Sequence, residues 1–262
     1  MKLKKHLFLL LTVIVMISCD DNQTYNYRIN SYPMTIGSTW TYDRTITDNY
    51  YKSTTSDSIV SSDTMVFEGT TWIEKDTTIN KSKVLIFKTI ENNFGRTVTT
   101  ANYHLMDKNG LKLIAHYYGA DMSYSFTKKT FIKPTFQVLS NGKMNSQSQI
   151  NSGVYIYSAP VLDIKYPLTA TSEWTSVYPL KIDKKVIGTD TLHLNGHEYI
   201  CLKVLWKYPE EYTIKITEWI AKEGILKRVT NLGNIYTKDE QGNNLNKFES
   251  TECVTIKSVS IK

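Results

Sequence analysis

The sequence predicts an all-β protein: a strongly curved antiparallel sheet, a half-barrel or open barrel, with little helix. Three observations carry this. Eighteen Tyr and five Trp stand against only twelve Gly and six Pro, and aromatic and β-branched side chains pack well on a half-buried pleated face. Apolar residues alternate over one short stretch after another, separated by Asn, Asp, Gly or Lys clusters. Finally, the stretch YPMTIGSTWTY (residues 32–42) returns as YPLTATSEWTS (residues 166–176), with six of eleven positions identical. Each copy runs from a Tyr-Pro pair through a small polar turn to a Trp at the head of a strand. With 41% hydrophobic residues in 262, the chain can bury a real core.

Residues 1–19, MKLKKHLFLLLTVIVMISC, join a basic head to an apolar run from Leu7 to Ile17, then Ser18 and Cys19. This is the pattern of an export signal, too short for a comfortable membrane span. The ending Met16-Ile17-Ser18-Cys19 resembles the lipobox of bacterial lipoproteins, with Met16 in the usual place of Leu. That resemblance implies a signal peptide over residues 1–18, acylation of Cys19 as the new N-terminus, and attachment to a membrane. Each buried acyl CH₂ would contribute roughly 0.8 kcal/mol to the anchoring. Asp20 and Asp21 resemble the surface-export signals of Bacteroidota lipoproteins, whereas in other Gram-negative bacteria an Asp here marks inner-membrane retention. The implied location is the outer membrane, lipid-anchored, at its periplasmic face or the cell surface. Residues 19–31 are polar without apolar period and read as a flexible tether. Residues 32–262 then form a single antiparallel β domain whose opening motif repeats at 32–42 and 166–176.

In that domain the pattern gives strands over Thr39–Thr47, Asp63–Lys75, Val84–Ile90, Arg96–Asp107 and Leu111–Tyr118. Asp107-Lys108-Asn109-Gly110 predicts a hairpin in which Asn109-Gly110 supplies positive φ. Tyr50–Val60 is the one helix candidate, and its Ser and Thr content argues against it. Asn141–Gly153 reads as a long polar loop, followed by strands at Val154–Tyr157 and Val161–Tyr166. Leu180–Leu194, Asn195-Gly196 and His197–Lys207 form a hairpin that sets Leu194 opposite His197, His193 opposite Glu198 and Leu192 opposite Tyr199. A further strand follows over Glu211–Ile220, and the last spans Thr251–Ile261. Because both faces of the His197–Lys207 strand are partly apolar, the sheet should curl around an interior.

These stretches, with DTLHLNGHEYICLKV (190–204) and EWIAKEGILKRV (218–229), resemble the ordered motifs of a broad set of bacterial outer-membrane lipoproteins, Bacteroidota-like in kind. Their fold resembles the curved half-barrel of the LolA/LolB lipoprotein-carrier class. Thr171 in place of Gly37, and the pair Glu223-Gly224, depart from the pattern at two turns. The resemblance implies an apolar or amphipathic ligand held inside the sheet, and no assigned activity.

Chemistry-bearing constellations are sparse. His193 and His197 flank a tight turn and project to opposite faces, so they cannot share a metal. His104 and His116 flank another turn without an evident third ligand, and no metal or other cofactor is expected. No nucleophile motif of the G-x-S-x-G, C-x-x-C or S-x-x-K kind lies in a plausible site. The run Lys238–Gly242 lacks the alternating acidic spacing of a calcium loop. Cys201 and Cys253 read as separate strand thiols, pairing only if the last strand lies beside that of Cys201. Trp40, Trp174 and Trp219 read as core plugs. Lys2, Lys4 and Lys5 carry three of the six net positive charges, leaving 28 basic against 25 acidic residues beyond Ser18, too balanced for a nucleic-acid surface. The expected function is that of a membrane-anchored envelope lipoprotein without catalytic activity, its partner an apolar small molecule or an envelope protein. The alternative is a cell-surface recognition or structural module for a glycan or protein.

Overall fold

The computed structural model describes residues 27–93, 96–118, 150–151, 154–178, 180–210, 212–238 and 244–262. The export signal, Cys19, Asp20 and Asp21 and most of the polar stretch at 141–153 lie outside the described residues. Among the described residues there is no helix, and thirteen strands make one sheet: β1 (Thr39–Tyr51), β2 (Ile59–Ile79), β3 (Ser82–Asn93), β4 (Arg96–Asp107), β5 (Gly110–Tyr118), β6 (Ile150–Asn151), β7 (Val154–Lys165), β8 (Glu173–Tyr178), β9 (Leu180–Leu194), β10 (His197–Lys207), β11 (Ile214–Ala221), β12 (Gly224–Lys238) and β13 (Asn244–Ser260). Their order is β6-β7-β5-β4-β3-β2-β1-β13-β12-β11-β10-β9-β8. Apart from the two-residue β6, the chain therefore runs up and down around a nearly closed antiparallel barrel with one unsealed seam.

The closed junction joins the ends of the domain, β1 and β13, through a ladder from Thr39 opposite Ser260 to Tyr50 opposite Phe248. The seam lies between β7 and β8, which share no ladder among the described residues. Side chains bridge it instead. Trp174 Nε1 donates to the carbonyl of Asp163 at 3.1 Å, Ser176 Oγ donates to that of Leu162, and Lys165 Nζ donates to that of Glu173 at 3.2 Å.

The two copies of the opening motif have matching roles. In each a tight turn closes on a buried serine: Ser38 N donates to Thr35 O at 3.1 Å and Ser172 N to Thr169 O at 3.0 Å. The same serines' carbonyls accept from the neighbouring strand, from Ile73 N at 3.0 Å and Val186 N at 2.9 Å. Each Trp is buried and donates its indole N–H to a main-chain carbonyl, Trp40 to Glu223 at 2.7 Å and Trp174 to Asp163. Each copy thus starts one six-stranded meander, β1 to β5 with β7, and β8 to β13.

The approach to these motifs closes one end of the barrel. The tether expected over residues 19–31 is already docked at Ile29, which is 2% exposed and exchanges hydrogen bonds of 2.9 and 2.8 Å with Leu168. An apolar side chain that can reach the core is worth more buried than free. Ile29, Leu168, Tyr166, Trp174, Leu202 and Ile220 form one core cluster, and Trp40, Tyr42, Ile73, Phe87, Leu226 and Ile256 belong to another; Tyr32 and Met34 pack against both.

Local chemistry explains most strand limits. Asn195 and Gly196 have φ of 50° and 78°, and the expected pairs Leu194–His197, His193–Glu198 and Leu192–Tyr199 are those observed. The hairpin at Asp107–Gly110 differs in detail. Its central residues are Lys108 and Asn109, the Asn109 amide donates to Asp107 Oδ1 at 2.8 Å, and Gly110 serves another need. A Cβ on Gly110 would strike the carbonyl oxygen of Ile164 on β7, and its φ is +147°. Tyr50–Val60 contains the end of β1 and the start of β2 rather than a helix, and β7 is one bulged strand rather than two. The last strand begins at Asn244, earlier than expected, and pairs with β1 and β12. Cys253 on it therefore lies away from Cys201 on β10, and both thiols are free.

Candidate functional site

Alternation along β1 turns Trp40, Tyr42, Arg44, Ile46, Asp48 and Tyr50 to one face, and the burial of Trp40, Tyr42 and Asp48 identifies it as the interior. Residues directly opposite across a ladder share a face. Following the registers from Arg44 gives Val254 on β13, Arg228 on β12, Glu218 on β11 and Val204 on β10 as one row around the inner wall. Charged side chains thus stand inside the barrel.

Two ion-pair groups hold them. In the first, Arg44 donates from Nε to Glu252 at 2.8 Å and from Nη1 to Glu91 at 3.2 Å, while the Tyr42 hydroxyl donates to Glu91 at 3.1 Å. Tyr42 reaches β3 by laying its ring over Gly69 of β2, where any Cβ would overlap it. Burial works against charge on Arg44, but Glu252 and Glu91 outweigh it and raise its pKa.

In the second, Glu218, 1% exposed, accepts from Arg228 Nε at 2.8 Å and from Trp206 Nε1 at 2.9 Å. Lys184, also 1% exposed, lies 3.5 Å from the centre of the Trp206 ring and donates to Asp163 Oδ1 at 2.9 Å and to its carbonyl at 2.8 Å. Burial disfavours the Asp163 carboxylate, yet Lys184 and the other positive groups around it keep its pKa below the usual range. Arg228 faces inward but keeps 39% of its side chain accessible, and Asp163 keeps 25%. Glu218 is sealed between the Arg228 guanidinium and the Trp206 indole.

Two further polar atoms are buried without a partner, His104 Nδ1 and Tyr166 Oη, on side chains 7% and 5% exposed as whole residues. His104 packs edge-on against Phe87 with centroids 4.8 Å apart, and burial pulls its pKa down to about 4. Burial, with Tyr32, Asp163 and Glu218 nearby, pushes the Tyr166 phenol up. The electrostatic couplings of His104 and Tyr166 both lead to Asp163, so all three belong to one region of the lumen.

The residues singled out in the sequence are distributed differently. His116 Nδ1 donates to Asn102 on the neighbouring strand, and His193 and His197 face opposite ways on their hairpin. Among the described residues no three His, Cys, Asp or Glu side chains converge as metal ligands. Trp40 and Trp174 are core plugs. Trp219 is also buried and belongs to a core cluster, but on the other face of β11 from Glu218, under the ammonium groups of Lys203 and Lys227, each 5.0 Å from its ring centre, and donates to Asp190 at 2.7 Å. The inner wall carries Arg44, Asp163, Lys184, Glu218 and Arg228. The sequence does signal three of them, since Arg44, Lys184 and Glu218 each interrupt an inward apolar alternation, at Tyr42/Ile46, Ile182/Val186 and Ile216/Ile220.

The chain matches no protein-family model and no curated protein sequence. Among solved structures it is similar to a candidate lipoprotein from Parabacteroides distasonis, at TM-score 0.33 and 11% identity over 88% of this chain and 99% of that one. A candidate exported protein with a YmcC-like fold from Bacteroides fragilis gives TM-score 0.30 and 9% identity over 88% and 99%. A candidate outer-membrane lipoprotein-sorting domain from Vibrio parahaemolyticus gives TM-score 0.22 and 10% identity over 85% and 86%.

Proposed function

We propose that the protein is a non-catalytic lipoprotein of the bacterial envelope, anchored through Cys19, whose barrel lumen receives a small amphipathic ligand. The observation that carries this reading is Arg228: an inward side chain that keeps 39% of its surface accessible while its guanidinium is held by the sealed carboxylate of Glu218. A polar head group would meet Arg228, Asp163 and the unpartnered atoms of His104 and Tyr166, while aromatic and aliphatic neighbours accept an apolar body. The lipobox-like residues Met16 to Cys19 support the anchor. Nine residues lie between Cys19 and docked Ile29, and the ten steps span at most about 35 Å, which would set the plugged end of the barrel toward the membrane.

The test is native mass spectrometry of the full chain extracted from the envelope of its producing cell, beside Tyr166→Phe and Arg228→Lys. A bound small molecule retained by the wild type and depleted at least tenfold in either variant is the expected result. Wild-type protein without any ligand mass, or equal retention by both variants, would overturn the lumenal assignment.

A further inference from the structure

At the end of the barrel away from residues 27–38, β1 and β2 set Asp48 directly opposite Asp63 on the inner face. Like charges in that position repel, and among the described residues no cation pairs with either carboxylate. Asp48 is 2% exposed, and its Oδ2 is buried without a hydrogen-bond partner. Ser250, opposite it on β13, hydrogen-bonds the carboxyl group. Arg44, the cation on the same face of β1, is committed to Glu91 and Glu252. Lys247, near this end, points from the other face of β13 to Asp57 and Glu249. Asp63 is exposed, which gives solvent access to the pair.

We propose that Asp48 and Asp63 form a cation-binding site at this end of the barrel, independent of the lumenal ligand. The oxygen-only donor set, two carboxylates with the Ser250 hydroxyl beside them, suits a hard divalent ion completed by water. The stacked rings of Tyr50 and Phe248, centroids 5.9 Å apart, adjoin the pair in the ladder and would equally flank an alkylammonium group. Both sources share one chemistry, a positive charge neutralising two facing carboxylates. With so few protein ligands a metal would bind in the range of about 10⁻⁴ to 10⁻³ M.

Thermal unfolding of the full chain in detergent separates the outcomes, with CaCl₂, MgCl₂ or butylammonium chloride added at fixed ionic strength so that screening is constant. At about ten times the dissociation constant, Tm should rise by about 3 °C with at least one cation. Asp48→Asn and Asp63→Asn should each remove the rise, and the arm that responds identifies the source. Asp63→Asn changes an exposed side chain and so retains the fold. No cation-dependent rise in the wild type, or a rise of equal size in both variants, would overturn the site.

Discussion

Trp174 donates its indole N–H to the carbonyl of Asp163 across the one junction of the barrel that lacks a ladder. Lys184 reaches the same residue from β9 and grips both its carbonyl and its carboxylate. Closure at this seam rests on a few side chains, whereas the β1–β13 junction rests on a run of main-chain pairs.

Trp174→Phe keeps an aromatic ring but removes the donor and part of the buried indole, and should lower unfolding free energy by about 2 kcal/mol. Lys184→Met strands a largely buried carboxylate and should cost about 3 kcal/mol. Urea denaturation measures both. In hydrogen exchange the Trp174 variant should lose protection at residues 161–165 and 173–177 before any change along Thr39–Tyr50; uniform loss would mean that the seam is no weaker than the rest.

Gly69 has no side chain because Tyr42 occupies the space above it on the way to Glu91. Gly69→Ala should therefore cost about 2 kcal/mol, as overpacking does. In a Tyr42→Leu background the same change should be nearly neutral. A double-mutant cycle checks this, and additive costs would show that the ring is not the obstacle.

His104 has a folded pKa of about 4 because burial disfavours its charged form, against about 6.5 unfolded. The unfolded chain thus takes up a proton over this interval while the folded chain does not. The contribution is fully present above about pH 6.5 and is lost as pH falls toward 4, at most about 3 kcal/mol. His104→Met should flatten that part of the stability profile in denaturant titrations between pH 4 and 7, and an unchanged slope would assign it to other groups.

Much of the architecture was legible from local rules. Arg96–Asp107, Leu180–Leu194 and His197–Lys207 have the limits their patterns suggest, and the Asn195-Gly196 turn set the hairpin register as far as Lys203 opposite Gly188, where a bulge shifts it, because its positive φ values are a local property. β12 was not legible. Its interior is interrupted by Gly233, and ladders to β11 and β13 hold Asn231 and Leu232 extended on both sides before the β13 register shifts and resumes at Ile235. The candidate site was legible only as anomalies. Glu218 breaks an apolar alternation, but nothing near it in sequence announces that Trp206 and Arg228 will satisfy its two oxygens.

By itself the sequence determined the class of fold, the register at the Asn195-Gly196 turn and the matching openings at Trp40 and Trp174, since alternation, turn conformation and aromatic bulk act over a few neighbouring residues. Tertiary structure alone decided that β13 would close against β1, that Gly110 and Gly69 would be needed for close approach, and that Ile29 would plug an end. It also decided which charges met inside: Arg44 with Glu91 and Glu252, Lys184 with Asp163, Arg228 with Glu218. Those partners come from different strands: ladder register sets Arg228 opposite Glu218 and Arg44 beside Glu252, whereas only closure of the sheet brings Lys184 to Asp163 across the seam.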